Sequence, residues 1–197
     1  MELLCTTSSP YARKILLQIH ELNLGEIIKV TRCHPFEDQD KTALHNPLGK
    51  IPILLLEKET LFDSGIISEF IDSLVDPEKR LIPAEPLKRR ECLKQICLAD
   101  GIMDCAVELR IQALRFPGMN PDWWSVRKLE AINKTLIWFD GNPPLTIDMG
   151  ALALVSALGY LEFRHPNLDW KTKTPSLNQW YQKLAKRESV RFTPYQD

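Results

Sequence analysis

The amino-acid sequence predicts a small α/β domain followed by an all-helical one. Three observations carry that prediction. Residues 1–76 alternate between short apolar runs and stretches with apolar residues at helical spacing. A proline cluster, Asp76-Pro77, Ile82-Pro83 and Glu85-Pro86, then interrupts the chain over residues 77–86. Residues 87–197 read as helices separated by Pro117-Gly118, Gly141-Asn142-Pro143-Pro144 and His165-Pro166.

Each element has a local reason. Glu2 to Thr6 is a short strand, and Ile15, Leu16, Ile19 and Leu22 mark a helix over Pro10 to Leu22 that Asn23 to Gly25 stops. Ile27 to Thr31 is a second strand, and a short helix fits Glu37 to Ala43. Ile53 to Leu56 and Thr60 to Phe62 form a hairpin across Glu57-Lys58-Glu59. Ile67, Phe70, Ile71 and Leu74 then share one face of a helix over Ile66 to Leu74. The order βαβ, loop, ββα implies a right-handed crossover, a parallel pair and an antiparallel edge. Beyond the linker, helices are expected over Leu87 to Phe116, Asp122 to Phe139, Asp148 to Phe163 and Ser176 to Arg187.

Composition narrows the function classes. The 197 residues carry 25 Lys and Arg against 26 Asp and Glu, with no basic stripe to hold nucleic acid and no like-charge block. No apolar run approaches a membrane span, and no cationic segment precedes a long apolar core at the N-terminus, so a soluble, cytoplasmic protein is expected. Cys5, Cys33, Cys92, Cys97 and Cys105 show no C-x-x-C pair, and His20, His34, His45 and His165 show no ligand spacing. No metal and no structural disulfide is expected.

Ser8-Ser9-Pro10-Tyr11-Ala12-Arg13-Lys14 places a hydroxyl where a helix begins, with proline behind it and two cations a turn further in. Serine is a preferred N-cap and proline suits the first helical position. The free N–H groups and the dipole of a helix start also favour an anion, and Ser9 can donate to one, a bound thiolate among the choices. Lowering a thiol pKa by about two units needs roughly 2.7 kcal/mol. A charge-assisted hydrogen bond supplies about 1.5–3 kcal/mol and a helix end roughly 0.3–1. A plain capping role for Ser9 is equally compatible with this segment.

Two further segments bear on a ligand. In Asn46-Pro47-Leu48-Gly49-Lys50-Ile51-Pro52, an Ile-Pro bond at the start of a strand is a candidate cis peptide that would present the Ile51 main chain to an extended ligand. A simple strand-opening proline is the alternative. Asp63-Ser64 stands between the hairpin and the next helix, where Ser64 and nearby N–H groups suit a carboxylate and Asp63 an ammonium. An ordinary N-cap is the alternative there.

Together, the Ser-Pro-Tyr helix start, the N-P-L-G-K-I-P turn and the D-S pair, on a βαβ–ββα frame with a helical continuation, resemble the cytosolic glutathione S-transferase superfamily over the whole chain. Gly159-Tyr160-Leu161-Glu162-Phe163-Arg164 and Asp100-Gly101-Ile102-Met103-Asp104 look like a bacterial branch with an active-site serine. The resemblance implies a thioredoxin-like N-terminal domain, an all-α C-terminal domain, a homodimer, and glutathione as co-substrate bound along the cleft. Ser9 would stabilise the thiolate. Lys50 and the Ile51 main chain would hold the cysteinyl and glycyl part, with Pro52 cis. Asp63 and Ser64 would hold the γ-glutamyl head.

Two departures qualify the resemblance. Omega-like members carry a cysteine before the proline, where this chain has Ser9, and Cys5 falls too early, inside the strand. Serine cannot exchange disulfides, so conjugation or peroxide-type chemistry is expected rather than thiol transfer. Ser8 and Tyr11 are neighbouring hydroxyls of the kind other branches use. The family's Ser/Thr-x-x-Asp capping box is also incomplete, with Asp148 at the cap and Ala151 at the third position, a loss on the order of 0.5–1 kcal/mol. The partner substrate is expected to be a small hydrophobic electrophile. Tyr11, Met103, Val107, Ile111 and Trp123, with Trp124, are the candidates to line its pocket, although a Met and aromatic stripe equally describes core. At least one of the adjacent tryptophans should be exposed. A non-catalytic glutathione-binding or partner-docking protein on the same fold is the main alternative. A glutathione-dependent reductase or lyase, assisted by Cys5 or Cys33, is a third.

Overall fold

The computed structural model describes Met1 to Asp197. Strand β1 (Glu2–Cys5) leads into helix α1 (Pro10–Glu21), strand β2 (Lys29–Arg32), helix α2 (Gln39–His45), the hairpin β3 (Ile53–Leu55) and β4 (Thr60–Phe62), and helix α3 (Ser64–Ser73). A 3-10 turn at Pro77–Lys79 follows. Six more helices complete the chain: α4 (Pro86–Arg115), α5 (Trp123–Gly141), α6 (Met149–Arg164), α7 (Trp170–Lys173), α8 (Pro175–Leu184) and α9 (Glu188–Phe192). Two compact units result, Met1–Arg89 with Glu188–Asp197, and Arg90–Arg187.

In the first unit the strands lie in the order β2-β1-β3-β4, with β1 and β2 parallel and both β1–β3 and β3–β4 antiparallel. The expected parallel pair and hairpin edge are both present. Alternation along β1 divides its side chains between the two faces. Leu3 and Cys5 join Ala12, Ile15 and Ile19 of α1 and Ile67 and Ile71 of α3 in the main core. Leu4 joins Ile53 and Cys33 in a smaller cluster.

Strand β2 begins two residues later than the apolar pattern predicts. The Ile27 and Ile28 N–H groups both donate to the Leu24 carbonyl at 3.1 Å, which winds this segment into a turn, and Ile28 is nevertheless buried in the main core. Burial, which the pattern reports, is therefore not the same as pairing. The linker that follows α3 is anchored by Asp72, buried at 3% exposure, whose carboxylate accepts from the Leu81 and Ile82 N–H groups at 2.6 and 3.1 Å. Burial pushes the Asp72 carboxyl up, and these two donors oppose the shift.

The second unit is built around α6, buried without a break from Met149 to Leu161. Asp148 caps it by accepting from the Ala151 N–H at 3.0 Å, and the Thr146 hydroxyl donates to the other carboxylate oxygen at 3.2 Å. Half of the capping box is therefore present. At the other end His165 Nε2 donates to the Ala106 carbonyl at 2.8 Å, tying the α6 terminus to α4. Between α5 and α4, Lys128 is paired with Glu108 and lies over the Trp124 ring at 4.4 Å. No helix is long and apolar enough to cross a membrane.

The short helices α7 and α9 are absent from the periodicity reading. Residues 188–197, which the sequence reading groups with the helical half, pack on α1 in the first unit. The Ser189 hydroxyl donates to the Glu21 carboxylate at 2.5 Å, and the Phe192 and His20 rings stack at 5.5 Å between centroids.

Candidate functional site

The strand register determines where the three singled-out segments emerge. Leu4 pairs with Ile53, and Ile53 pairs with Phe62. The chain therefore leaves β1 toward Thr6–Ser9, enters β3 from Lys50–Pro52, and leaves β4 toward Asp63–Ser64, all at one end of the sheet. Neighbouring strands are about 4.8 Å apart, so these segments span roughly 10 Å across β1, β3 and β4. That is about the length of three extended residues. Helices α1 and α3 both begin at this end, so the positive ends of two helix dipoles lie there.

Ser9 is the N-cap of α1, with extended backbone, and its Oγ accepts from the Ala12 N–H at 3.3 Å. Accepting through a lone pair leaves the hydroxyl proton available for another acceptor. Capping and anion binding are thus compatible. The Ser8 hydroxyl donates to Thr6 Oγ1 at 3.3 Å, within the loop itself. Tyr11 is the second residue of α1 and half-buried.

The turn before β3 is organised by Asn46, a residue with no assigned role in the sequence reading. It is buried at 2% exposure, its Nδ2 donates to the Lys50 carbonyl at 2.8 Å, and its Oδ1 accepts from the Leu48 N–H at 3.0 Å. The Gly49 N–H closes the turn onto the Asn46 carbonyl at 2.8 Å, with Gly49 at φ 62°, a left-handed conformation that favours glycine. The Ile51-Pro52 bond is cis, as the segment suggests, and Ile51 lies just beyond the last ladder pair. Lys50 is exposed and Pro52 buried.

Asp63, not Ser64, caps α3. Its Oδ1 accepts from the Gly65 N–H at 2.7 Å and its backbone is left-handed at φ 71°. Asp63 is exposed, whereas Ser64 is the first helical residue and is buried at 6% exposure. A positive φ is uncommon outside glycine, and aspartate is among the residues that tolerate it best.

The cysteines near this end of the sheet are unsuited to thiolate chemistry. Cys5 and Cys33 are both buried, and burial pushes the Cys5 thiol up to about 12 and the Cys33 thiol upward as well. The pocket candidates of the helical unit separate. Met103 is fully buried in the core, Val107 is half-buried, and Ile111 is exposed. Ile111 and Trp124, with Phe116, Gln112 and Lys128, line a groove of about 280 Å³. Trp123 and Trp124 are 75% and 44% exposed and pack edge to face at 5.2 Å, so neither tryptophan belongs to the core.

The two cations after Ser9 are buried, Arg13 at 5% and Lys14 at 0% exposure. Arg13 Nε donates to the Thr193 carbonyl at 2.7 Å, and its guanidinium lies 4.6 Å from the centre of the Tyr195 ring. No local signal could have found these partners, which lie 180 residues or more along the chain.

A thioredoxin-like sheet with a cis-proline before its third strand, followed in the chain by a helical unit, defines a class of protein with known members. Residues 8–74 match the glutathione S-transferase N-terminal domain and residues 125–183 the glutathione S-transferase C-terminal domain. The chain belongs to the glutathione S-transferase family. Among its relatives is the uncharacterized GST-like protein YibF of Escherichia coli (strain K12), 32% identical over 96% of each chain. A glutathione transferase family member from Pseudomonas fluorescens Pf-5, solved with bound glutathione, is 32% identical and superposes with a TM-score of 0.92, covering 100% of this chain and 99% of that one. A glutathione S-transferase from Methylobacillus flagellatus KT with glutathione bound is also 32% identical, at a TM-score of 0.87 over 98% of each chain.

Proposed function

We propose that this protein is a glutathione transferase that binds the tripeptide across the β1–β3–β4 end of the sheet and stabilises its thiolate through Ser9. The thiolate then attacks a small electrophilic substrate. The observation that carries the reading is the convergence of the Ser9, Ile51 and Asp63–Ser64 segments at one sheet end, over a span of about one extended tripeptide. Solved relatives with glutathione bound support the ligand.

Each residue has a physical task in this reading. The Ser9 hydroxyl, already accepting from Ala12, donates a hydrogen bond to the glutathione thiolate while keeping its proton. The Ile51 main chain pairs with the cysteinyl unit as an added strand, and Lys50 offers its charge to the glycyl carboxylate. Ser64 and the first N–H groups of α3 take the γ-glutamyl carboxylate, and the exposed Asp63 takes the ammonium. In conjugation the sulfur lone pair forms the new carbon–sulfur bond while the leaving group departs with its electron pair. The enzyme contributes positioning and a lowered thiol pKa. Buried, protonated Cys5 and Cys33 speak against a thiol-dependent reductase. Homodimer formation and a cytoplasmic location are part of the same proposal and rest on family membership.

The test is a titration of thiolate absorbance for bound glutathione, in wild type and Ser9→Ala. The bound thiol is expected to ionise at least one pH unit below the free thiol, and Ser9→Ala to reverse the shift while lowering turnover at neutral pH at least tenfold. Binding without a shift would instead identify a glutathione-holding protein on the same fold.

A further inference from the structure

The C-terminal decapeptide runs along α1 from its last turn to the loop before its first. Ser189 binds Glu21, Phe192 stacks on His20, the Thr193 carbonyl receives Arg13 Nε, and Tyr195 covers the Arg13 guanidinium. The track ends at Gln196, whose N–H donates to the Thr7 carbonyl at 3.4 Å and whose carbonyl accepts from the Thr7 hydroxyl at 3.2 Å. Thr7 stands two residues before Ser9. Arg13 stands one turn after it, and the Arg13 N–H donates to the Ser9 carbonyl at 3.0 Å. The tail therefore touches the chain on either side of Ser9, at Thr7 and at the Arg13 side chain.

Within itself that segment is held by the Ser9 N–H to the Thr6 carbonyl, the Ser8 hydroxyl to Thr6 and the Ala12 N–H to Ser9 Oγ, all at 3.3 Å, so the tail's bonds to Thr7 add to a set of comparable length. A donor that must meet a sulfur needs its position fixed to about half an ångström, and a misplacement of about 1 Å costs on the order of a hundredfold in rate. Burying Arg13 without a full set of partners also has a cost. Its Nη1 is buried with no hydrogen-bond partner, while Nε meets the Thr193 carbonyl and the guanidinium meets the Tyr195 ring.

We propose that residues 193–196 are a positioning element for Ser9, holding Thr7 and Arg13 so that the hydroxyl is aimed at the glutathione sulfur. This rests on the reading of Ser9 as the thiolate donor. The residues act through Ser9 and touch neither sulfur nor electrophile in the proposed reaction.

Two variants test it in the full-length background. Deletion of residues 194–197 removes the Tyr195 cover and the Gln196 pairing. Gln196→Pro removes the Gln196 N–H donor, leaves the Thr193 carbonyl and the Tyr195 side chain in the sequence while restricting the backbone at 195–196, and stands in if the deletion fails to fold. Each is read by melting temperature, glutathione affinity, the pH titration of bound thiol, and kcat against KM. Both variants are expected to keep glutathione affinity within about threefold, because the β3 and α3 contacts are intact. Both are expected to raise the bound thiol pKa by half a unit or more, and to lower kcat at neutral pH by roughly tenfold, with the loss recovered as pH rises. An unchanged thiol titration and pH profile in both variants, beside a shifted one in Ser9→Ala, would overturn the proposal and leave the tail a structural strap. If Ser9→Ala leaves the titration unchanged, the donor assignment itself fails and this proposal falls with it.

Discussion

At the scale of single residues, the candidate site reuses groups that the fold already employs. Ser9 caps α1, Asp63 caps α3, and Asn46 closes the turn that delivers Ile51. Each hydrogen bond fixes a side chain that would otherwise sample several rotamers. Asp63 offers a clean separation of structure from binding. Asparagine preserves the acceptor for the Gly65 N–H and tolerates the left-handed backbone at φ 71°, but removes the charge. Asp63→Asn is therefore expected to shift the melting temperature by about 2 °C or less while weakening glutathione binding about tenfold, near the low end for a charge-assisted bond at an exposed site. Calorimetric titration beside a thermal melt checks both halves. Equal losses of stability and affinity would assign Asp63 to the fold alone. The Ser9 cap, the cis Ile51-Pro52 bond and the helix start at Asp63-Ser64 are legible in the sequence because turn chemistry is local. Asp63's positive φ and the use of Asn46 are not, since both depend on how the hairpin and turn are closed.

At the scale of elements, hydrophobic period located every strand and every long helix, and it failed in two informative ways. It placed β2 at Ile27 because Ile28 is buried, although that residue is in a turn. It passed over α7 and α9, which have four and five residues and too few turns to display a period. The close approach of α6 to α4 is equally invisible in sequence. A Cβ on Gly150 would stand 2.9 Å from Gln95 Cβ and 3.1 Å from the Cys92 carbonyl oxygen. The carbonyl belongs to the α4 backbone and cannot turn aside as a side chain can. Gly150→Ala should therefore destabilise despite alanine's better helix propensity, by about 1–3 kcal/mol for overpacking against a gain of about 1. The net expectation is a melting temperature lowered by up to about 6 °C with glutathione affinity unchanged. A melt at or above the wild-type value would mean that the two helices separate at no cost.

At the scale of the whole molecule, proton linkage converts one buried histidine into a property of global stability. Burial lowers the His165 pKa from its ordinary value of 6.5, and the charges of Arg110 and Arg164 push it the same way, against the bond to the Ala106 carbonyl. The folded chain then binds fewer protons than the unfolded chain between the lowered pKa and 6.5. In that window stability increases with pH, so the full contribution of neutral His165 is present above 6.5 and is lost as pH falls toward the folded value. One proton sets a ceiling of about 1.4 kcal/mol per pH unit on this slope. Glutamine can keep the donor to the Ala106 carbonyl without titrating. Unfolding by urea at pH 7.5 and pH 5.5 should give wild type a loss of stability that His165→Gln reduces, even if the variant is less stable at pH 7.5. An identical loss in both proteins would place the acid sensitivity elsewhere. Asp72 changes the slope in the opposite sense, because its raised pKa makes the folded chain the better proton binder just above the ordinary carboxylate range. Asp72 titrates in both proteins, so the difference between wild type and His165→Gln, rather than either slope by itself, isolates the histidine contribution.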